Sequence, residues 1–280
     1  MTIYPLTFQM GFLELTGYGL MMMVGFLMAG WVLQRELRRR ELNEEYASDI
    51  IVAGVIGGIL GAKLWYVVLT QDLGALASRS GLVWYGGFIG GTLAVYLNGL
   101  RQRVPTRFTM DLVAPGLAIG YALGRVGCFM VQDDYGRPTS LPWGMRFPEG
   151  LPPTTAHRLN ADFGIPIPDG MNPLDVVAVH PTQLYETAAM MLAFWVLWRL
   201  RDHGRGTGWL MGAYLLFAGT ERFLVEFLRA KDDRILAGFT VAQLTSIVIA
   251  LVGVIIMARL GKQSEVAIPA NSILRGPKTT

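Results

Sequence analysis

Arg222, Glu226 and Arg229 stand at i, i+4 and i+7 at the end of an apolar stretch, Thr207 to Leu228, with Glu221 beside them. That spacing stacks all three on one helix face. Ionised groups at bilayer depth are costly, so they turn toward a bundle interior, pair with one another and mark a functional site. Three further clusters sit at the ends of apolar stretches: Tyr85-Gly86-Gly87; Gly124 to Phe129 with Arg125 and Cys128, followed by Asp133, Asp134, Tyr135, Gly136 and Arg137; and His180 to Glu186. Arg125 and Arg222 call for an anionic ligand, and a guanidinium, which offers two parallel donors, suits phosphate.

The elements that must carry these residues are membrane helices. Of 280 residues, 52% are hydrophobic and only 16% are charged, a balance that soluble domains seldom show. Stretches long enough to cross a bilayer run from about Gly11 to Leu33, Ile50 to Thr70, Val83 to Leu100, Asp111 to Met130, Gln183 to Leu200, Thr207 to Leu228 and Gly238 to Leu260. The expected fold is therefore an all-α polytopic membrane protein of about seven spans. The linkers after spans one, three, five and seven hold Arg35, Arg38, Arg39 and Arg40; Arg101, Arg103 and Arg107; Arg199, Arg201 and Arg205; and Arg259 and Lys262. The first ten residues lack Lys and Arg, and the loop after span two has only Arg79. Basic residues are retained in the cytoplasm, so the amino terminus is expected outside and the carboxyl terminus inside. All four polar clusters then face the outer half of the membrane and can meet in one cavity.

The stretch from about Gln132 to Pro181, rich in Pro and Gly, is expected as an irregular outer loop or small cap. Residues 1–261 read as a single transmembrane domain, and the polar tail of residues 262–280 as a disordered cytoplasmic extension. The first span lacks a basic leader and is followed by a basic stop, so it is expected to remain attached. The net charge of +3 is accounted for by the cytoplasmic loops and carries no nucleic-acid implication. A single cysteine, Cys128, allows no intrachain disulfide. Glycines at helical spacing, such as Gly54, Gly57, Gly58 and Gly61, suit close helix packing in lipid. Gly86-Gly87, directly after Trp84-Tyr85, is the pair expected to bring backbone close to a ligand.

The four clusters resemble the signatures of the bacterial prolipoprotein diacylglyceryl transferase family. GRVGCF followed by DDYGRP is similar to its central signature, HPTQLYE to its HPxQLYE block, ERFLVEFLRAKDD to its RFxxEFxR block, and GFTVAQLTSI to the start of its last helix. Upstream, Tyr18-Gly19-Leu20, GAKLWYVV and WYGGFIGG align in order, so the likeness runs from about Tyr18 to Ile247.

The resemblance implies an enzyme of the bacterial inner membrane. It would move an sn-1,2-diacylglyceryl group from phosphatidylglycerol to the lipobox cysteine thiol of a prolipoprotein, releasing glycerol phosphate, without metal or cofactor. The partners implied are phosphatidylglycerol, the prolipoprotein signal peptide and membrane lipid. By position in the motifs, Arg125 and Arg222 would bind the phosphate and stabilise its growing charge, and Glu226 would orient Arg222 and can relay a proton. Tyr85 joins these as a catalytic candidate. Tyr18, Gly86, Gly87, Asp133, His180, Gln183, Glu186 and Arg229 complete the implied lipid site. Three positions depart from the family pattern: Tyr85 replaces a common His, Asp133 a usual Glu, and Cys128 a frequent Asn. A phenol is a poorer base than imidazole at neutral pH, and the base that activates the acceptor thiol is not identified by these motifs.

Three other readings are weighed against this one. A transporter of an anionic small molecule would show paired broken helices and an internal repeat, neither of which is evident. An intramembrane protease would need a motif such as HExxH, which the sequence lacks. A non-catalytic lipid- or lipoprotein-binding relative would keep the fold while departing at Tyr85 and Asp133.

Overall fold

The computed structural model describes residues 1–10, 13–77, 81–166, 170–230, 234–236 and 238–276. Arg79, residues 231–233 of the ERFLVEFLRAKDD block and the last four residues of the tail lie outside them. The described chain is mostly helical. A short antiparallel pair, β1 (Thr7–Met10) and β2 (Leu13–Thr16), leads into α1 (Gly17–Arg39). There follow α2 (Glu45–Thr70), α3 (Trp84–Arg101), α4 (Thr106–Val131), the short α5 (Ala156–Phe163), α6 (Thr182–Leu200) and α7 (Trp209–Glu226). A second small pair, β3 (Arg234–Leu236) and β4 (Phe239–Thr240), precedes α8 (Val241–Leu260).

Each of the seven apolar stretches coincides with a helix, and α1, α2, α4 and α8 are long and apolar enough to cross a membrane. The first boundary differs from expectation. The β1–β2 ladder takes up residues 7–10 and 13–16, Gly11 lies outside the described residues, and α1 begins where the Thr16 hydroxyl accepts from Gly19 N at 3.1 Å. A threonine cap satisfies one of the amides that a helix start leaves unpaired, which fixes the start there.

Packing between helices rests on small residues, as expected where lipid removes the hydrophobic drive for association. On α2 and α3, Gly57 and Gly61 face Gly90 and Gly86 so closely that a Cβ on Gly61 would stand 2.2 Å from the Gly86 carbonyl oxygen. Gly212 and Gly219 of α7 meet Gly253 and Ser246 of α8 in the same manner. Ala114, Ala118 and Ala122 of α4 pack with Met190, Ala193 and Leu197 of α6 and with Leu210 and Ala213 of α7.

One end of the bundle gathers the basic helix ends. There Arg39 pairs with Asp202 at 2.8 Å, and buried Glu36 receives Arg39 and Arg40. Asp111 of α4 caps α7 by accepting from Gly208 N at 2.7 Å and Leu210 N at 2.8 Å. The tail differs from the expected disordered extension. Its residues 272–276 are ordered against this end: Asn43 N donates to the Leu274 carbonyl at 3.1 Å, Ile273 N donates to the Gln102 carbonyl at 3.3 Å, and Leu274 is buried with Leu33, Leu37, Tyr46 and Phe108. One apolar side chain with a waiting core and two backbone partners suffices to order a polar segment.

The opposite end carries a cap built from residues 132–166 and 170–181. It has its own apolar core of Tyr135, Phe147, Leu159 and Val179, together with Ala230. Isolated bridges tie it together and to the bundle, among them Gly136 with Arg229 and Met145 with Val179.

Candidate functional site

The cap end is where three of the four polar clusters converge. Arg125, one turn and a half before the end of α4, extends to α6, where its Nη2 donates to Glu186 Oε1 at 2.6 Å and its Nε lies 2.5 Å from Glu186 Oε2. Its Nη1 donates to Asp134 Oδ2 at 3.0 Å and lies 3.4 Å from Cys128 Sγ. Arg229 pairs with the other oxygen of Asp134 and lies 3.8 Å from Glu186. Asp134 therefore clamps two guanidiniums from distant parts of the chain. Cys128 Sγ and the carboxylates of Asp133 and Asp134 lie within 4.8 Å of one another, but the two arginines already take both oxygens of Asp134 that a cation would share.

On α7, the i, i+4 stacking holds: Arg222 Nη2 lies 2.6 Å from Glu226 Oε2. Glu226 is buried, and its Oε1 accepts from the Thr240 hydroxyl at 3.1 Å. Thr240 is fixed in turn by the capping box that opens α8, in which its hydroxyl accepts from Gln243 N and Gln243 Oε1 accepts from Thr240 N. The Nη1 of Arg222 is buried with no hydrogen-bond partner among the described residues. A buried guanidinium donor left unpaired is costly, and an anion at this place would satisfy it.

The cap holds the carboxylates in place through backbone. Gln183 Nε2 donates to the Asp133 carbonyl at 2.5 Å, the Thr182 hydroxyl to the Asp134 carbonyl at 2.8 Å, Gly136 N to the His180 carbonyl at 2.8 Å, and Arg137 N to the Leu228 carbonyl at 2.7 Å. Gln132 and Asp134 adopt left-handed backbone, with φ of 63° and 57°. Residues other than glycine rarely do so, and such strain persists where the surroundings over-determine it, commonly at functional sites.

The two neighbouring aspartates are set apart electrostatically. Burial, then the adjacent Asp134 charge, pushes the Asp133 carboxyl up to about 6. Burial acts on Asp134 too, but Arg229 and then Arg125 outweigh it and hold that carboxyl at about 2. Asp133 Oδ1 is buried without a hydrogen-bond partner, so one aspartate is latched and ionised and the other is poised near neutrality. Burial lowers His180 below its ordinary imidazole value, and its Nδ1 lies 3.2 Å from the Tyr185 hydroxyl.

Among the residues singled out from sequence, Arg125, Arg222, Glu226, Arg229, Glu186, Gln183 and the Asp133-Asp134 pair meet at this end. His180 reaches them through backbone, and Tyr18 of α1 packs against Gly127 beside Arg125. Tyr85, Gly86 and Gly87 do not join them. No hydrogen bond or ion pair links Tyr85 to the arginines among the described residues; it is 52% exposed, with its ring against Trp84. Gly86 and Gly87, expected to bring backbone close to a ligand, lie against α2. Gly86 faces the Gly61 carbonyl and Trp65 Cβ, and Gly87 faces Gly58 and Ala62, so both serve the close passage of α3 along α2. Sequence reading missed Tyr121, whose hydroxyl donates to Glu186 Oε2 at 2.9 Å, and Thr240. Tyr121 lies four residues before Arg125, so the same i, i+4 rule that grouped Arg222 with Glu226 would have found it.

Comparison with known proteins identifies the family. The prolipoprotein diacylglyceryl transferase family profile matches residues 5–259. A phosphatidylglycerol--prolipoprotein diacylglyceryl transferase of Clostridium tetani is 31% identical over 264 residues, 90% of this chain and 96% of its own. Proteins of the same name from Geobacter sulfurreducens and Pseudoalteromonas atlantica are 34% and 30% identical, over 90% and 96% of this chain and 93% and 95% of theirs. The chain belongs to the prolipoprotein diacylglyceryl transferase family.

Proposed function

We propose that this membrane protein is a transferase that moves the sn-1,2-diacylglyceryl group of phosphatidylglycerol to the lipobox cysteine thiol of a prolipoprotein and releases glycerol phosphate. The observation that carries the reading furthest is the unpaired, buried Nη1 of Arg222 beside a network containing Arg125 and Arg229. A lipid phosphodiester brings the anion that this donor lacks. In the reaction the acceptor sulfur attacks the lipid carbon that bears the phosphate, and the carbon–oxygen bond breaks with its electron pair going to the phosphate oxygen. The phosphate passes from one negative charge to two. Arg222 and Arg125 meet that growing charge, with Glu226 orienting Arg222. Asp133 takes the thiol proton: its carboxyl at about 6 is ionised at neutral pH, its Oδ1 is free, and an ordinary thiol near 8.5 needs such a base.

In this reading the seven helices cross the bacterial inner membrane with the amino terminus outside. The concentration of Lys and Arg at the end opposite the cap supports that orientation. The cap of residues 132–181 then faces the compartment where signal peptides emerge, and residues 1–261 form one catalytic unit. His180, Gln183, Tyr18, Glu186 and Arg229 shape the head-group site. Purified protein given phosphatidylglycerol and a lipobox peptide is expected to add the diacylglyceryl mass to the peptide cysteine; an unmodified peptide after prolonged incubation of folded enzyme would refute the reading.

A further inference from the structure

Arg125 presents a difficulty for phosphate binding, because its donors are already engaged by Glu186 and Asp134. Three guanidiniums, of Arg125, Arg222 and Arg229, face five carboxylates, of Asp133, Asp134, Glu186, Glu221 and Glu226. An incoming phosphate, already an anion, adds to that excess. Among the described carboxylates of this network, only Asp133 and Glu221 have no guanidinium within ion-pair distance. Glu221 is the more deeply buried, 8% exposed, and its Oε1 has no hydrogen-bond partner. Between Glu221 and the Arg125 partner stands Tyr121. Its hydroxyl lies 2.9 Å from Glu186 Oε2 and 3.5 Å from Glu221 Oε2.

We propose that Glu221 is a buried proton donor which, through the Tyr121 hydroxyl, neutralises Glu186 and so releases Arg125 to the phosphate; this deepens the transferase reading and rests on it. An unpaired carboxylate in so dry a place keeps its proton. When the phosphate arrives, the Glu221 O–H proton passes to the Tyr121 oxygen and the Tyr121 proton passes to Glu186 Oε2. One proton leaves Glu221, one reaches Glu186, and Tyr121 ends as it began. Glu186 becomes a neutral acid, its hold on Arg125 weakens, and the guanidinium turns its donors to the second charge that develops on the phosphate. Glu221 and Tyr121 are positioning residues, acting through Arg125.

The groups around Glu221 fit a relay of this kind. Tyr121 and Arg125 come from α4, Glu186 from α6, and Tyr214 and Arg222 from α7 itself. The only charged residue of α8 is Arg259, at its far end. The donor form of Glu221 is the protonated one, so its contribution to turnover is present at lower pH and lost as pH rises and the group ionises.

The test is transfer kinetics of purified Tyr121→Phe and Glu221→Gln enzymes across pH, beside wild type and Arg222→Ala. Each relay variant is expected to lower kcat by about 10²-fold, the scale of a positioned proton donor, with KM for phosphatidylglycerol changed less than about twofold. Glu221→Gln should also lose the alkaline fall of the wild-type profile, and the double variant should be no slower than the slower single. Tyr121→Phe keeps the ring packing and decides the matter if Glu221→Gln does not fold. Wild-type kcat and an unchanged pH profile in either folded variant would overturn the relay while leaving the transferase reading intact. Absence of transfer by wild type itself would instead overturn the transferase reading.

Discussion

Arg222 and Glu226 meet at 2.6 Å on one face of α7, yet only one amino group of the guanidinium is used; the other is buried and unpaired. In the proposed site the pair supplies one half, held in place by Thr240 at the N-cap of α8. Arg222→Ala is expected to lower transfer by about 10²- to 10³-fold, as for loss of one donor to a developing anion. Arg222→Lys is expected to restore little, because an ammonium cannot hold Glu226 and a phosphate oxygen in one rigid fork. Initial rates with both variants, at equal amounts of folded protein, check this.

As the proposed base, Asp133 is expected to set the acid side of the pH profile. With its carboxyl at about 6, transfer is expected to rise as pH increases through that value and the base ionises. Asp133→Asn should remove this limb and lower the rate by about 10²-fold or more. An Asn enzyme that keeps the limb would move the base elsewhere.

Asp134 acts oppositely on stability. Its carboxyl is held at about 2, below the ordinary value of about 4. A depressed folded-state value contributes stability that is present above about 4 and lost as pH falls toward 2. Acid unfolding in detergent is therefore expected to shift to higher pH in Asp134→Asn, which frees Arg125 and Arg229 from their shared clamp.

Much of this was legible in the sequence because its causes are local. Bilayer-length apolar runs and the 3.6-residue period located seven helices and the face shared by Arg222 and Glu226, whereas α7 ends at Glu226 and Arg229 lies beyond it, bridged to Gly136 of the cap. What was not legible depends on partners far along the chain. The packing role of Gly86 was hidden because nothing in WYGGFIGG tells that Gly61 lies against it. Leu274 looked like part of a disordered tail because Asn43, Gln102 and the core around Leu33 lie some 170 to 240 residues away in sequence. The first helix looked longer at its start because hydropathy does not distinguish a short strand pair from a helical turn.

Gly86→Ala separates packing from ligand contact. Its new Cβ would stand 2.3 Å from the Gly61 carbonyl and 2.4 Å from Trp65 Cβ, an overpacking of the kind that costs about 1–3 kcal/mol. The expected result is a lower thermal unfolding midpoint in detergent with KM for phosphatidylglycerol unchanged in the protein that remains folded. Tyr85→Phe, which leaves an exposed ring in place, should turn over within about twofold of wild type.

The tail strap predicts a stability loss without a catalytic one. Leu274→Ala removes a fully buried side chain at the end opposite the site and should cost about 2–5 kcal/mol. Thermal melts of the purified variant, with transfer assayed well below the midpoint, test both halves.

In the proposed reaction a phosphate-binding arginine site drives release of glycerol phosphate as the peptide thiol gains its lipid. The most direct measurement follows phosphatidylglycerol labelled in its terminal glycerol, counting released glycerol phosphate against diacylglyceryl-peptide by mass. Wild type is predicted to give the two products one for one, and Arg222→Ala to retain its fold and give neither at a comparable rate. Full production of both by folded Arg222→Ala, or release of glycerol phosphate with no lipidated peptide from wild type, would contradict it.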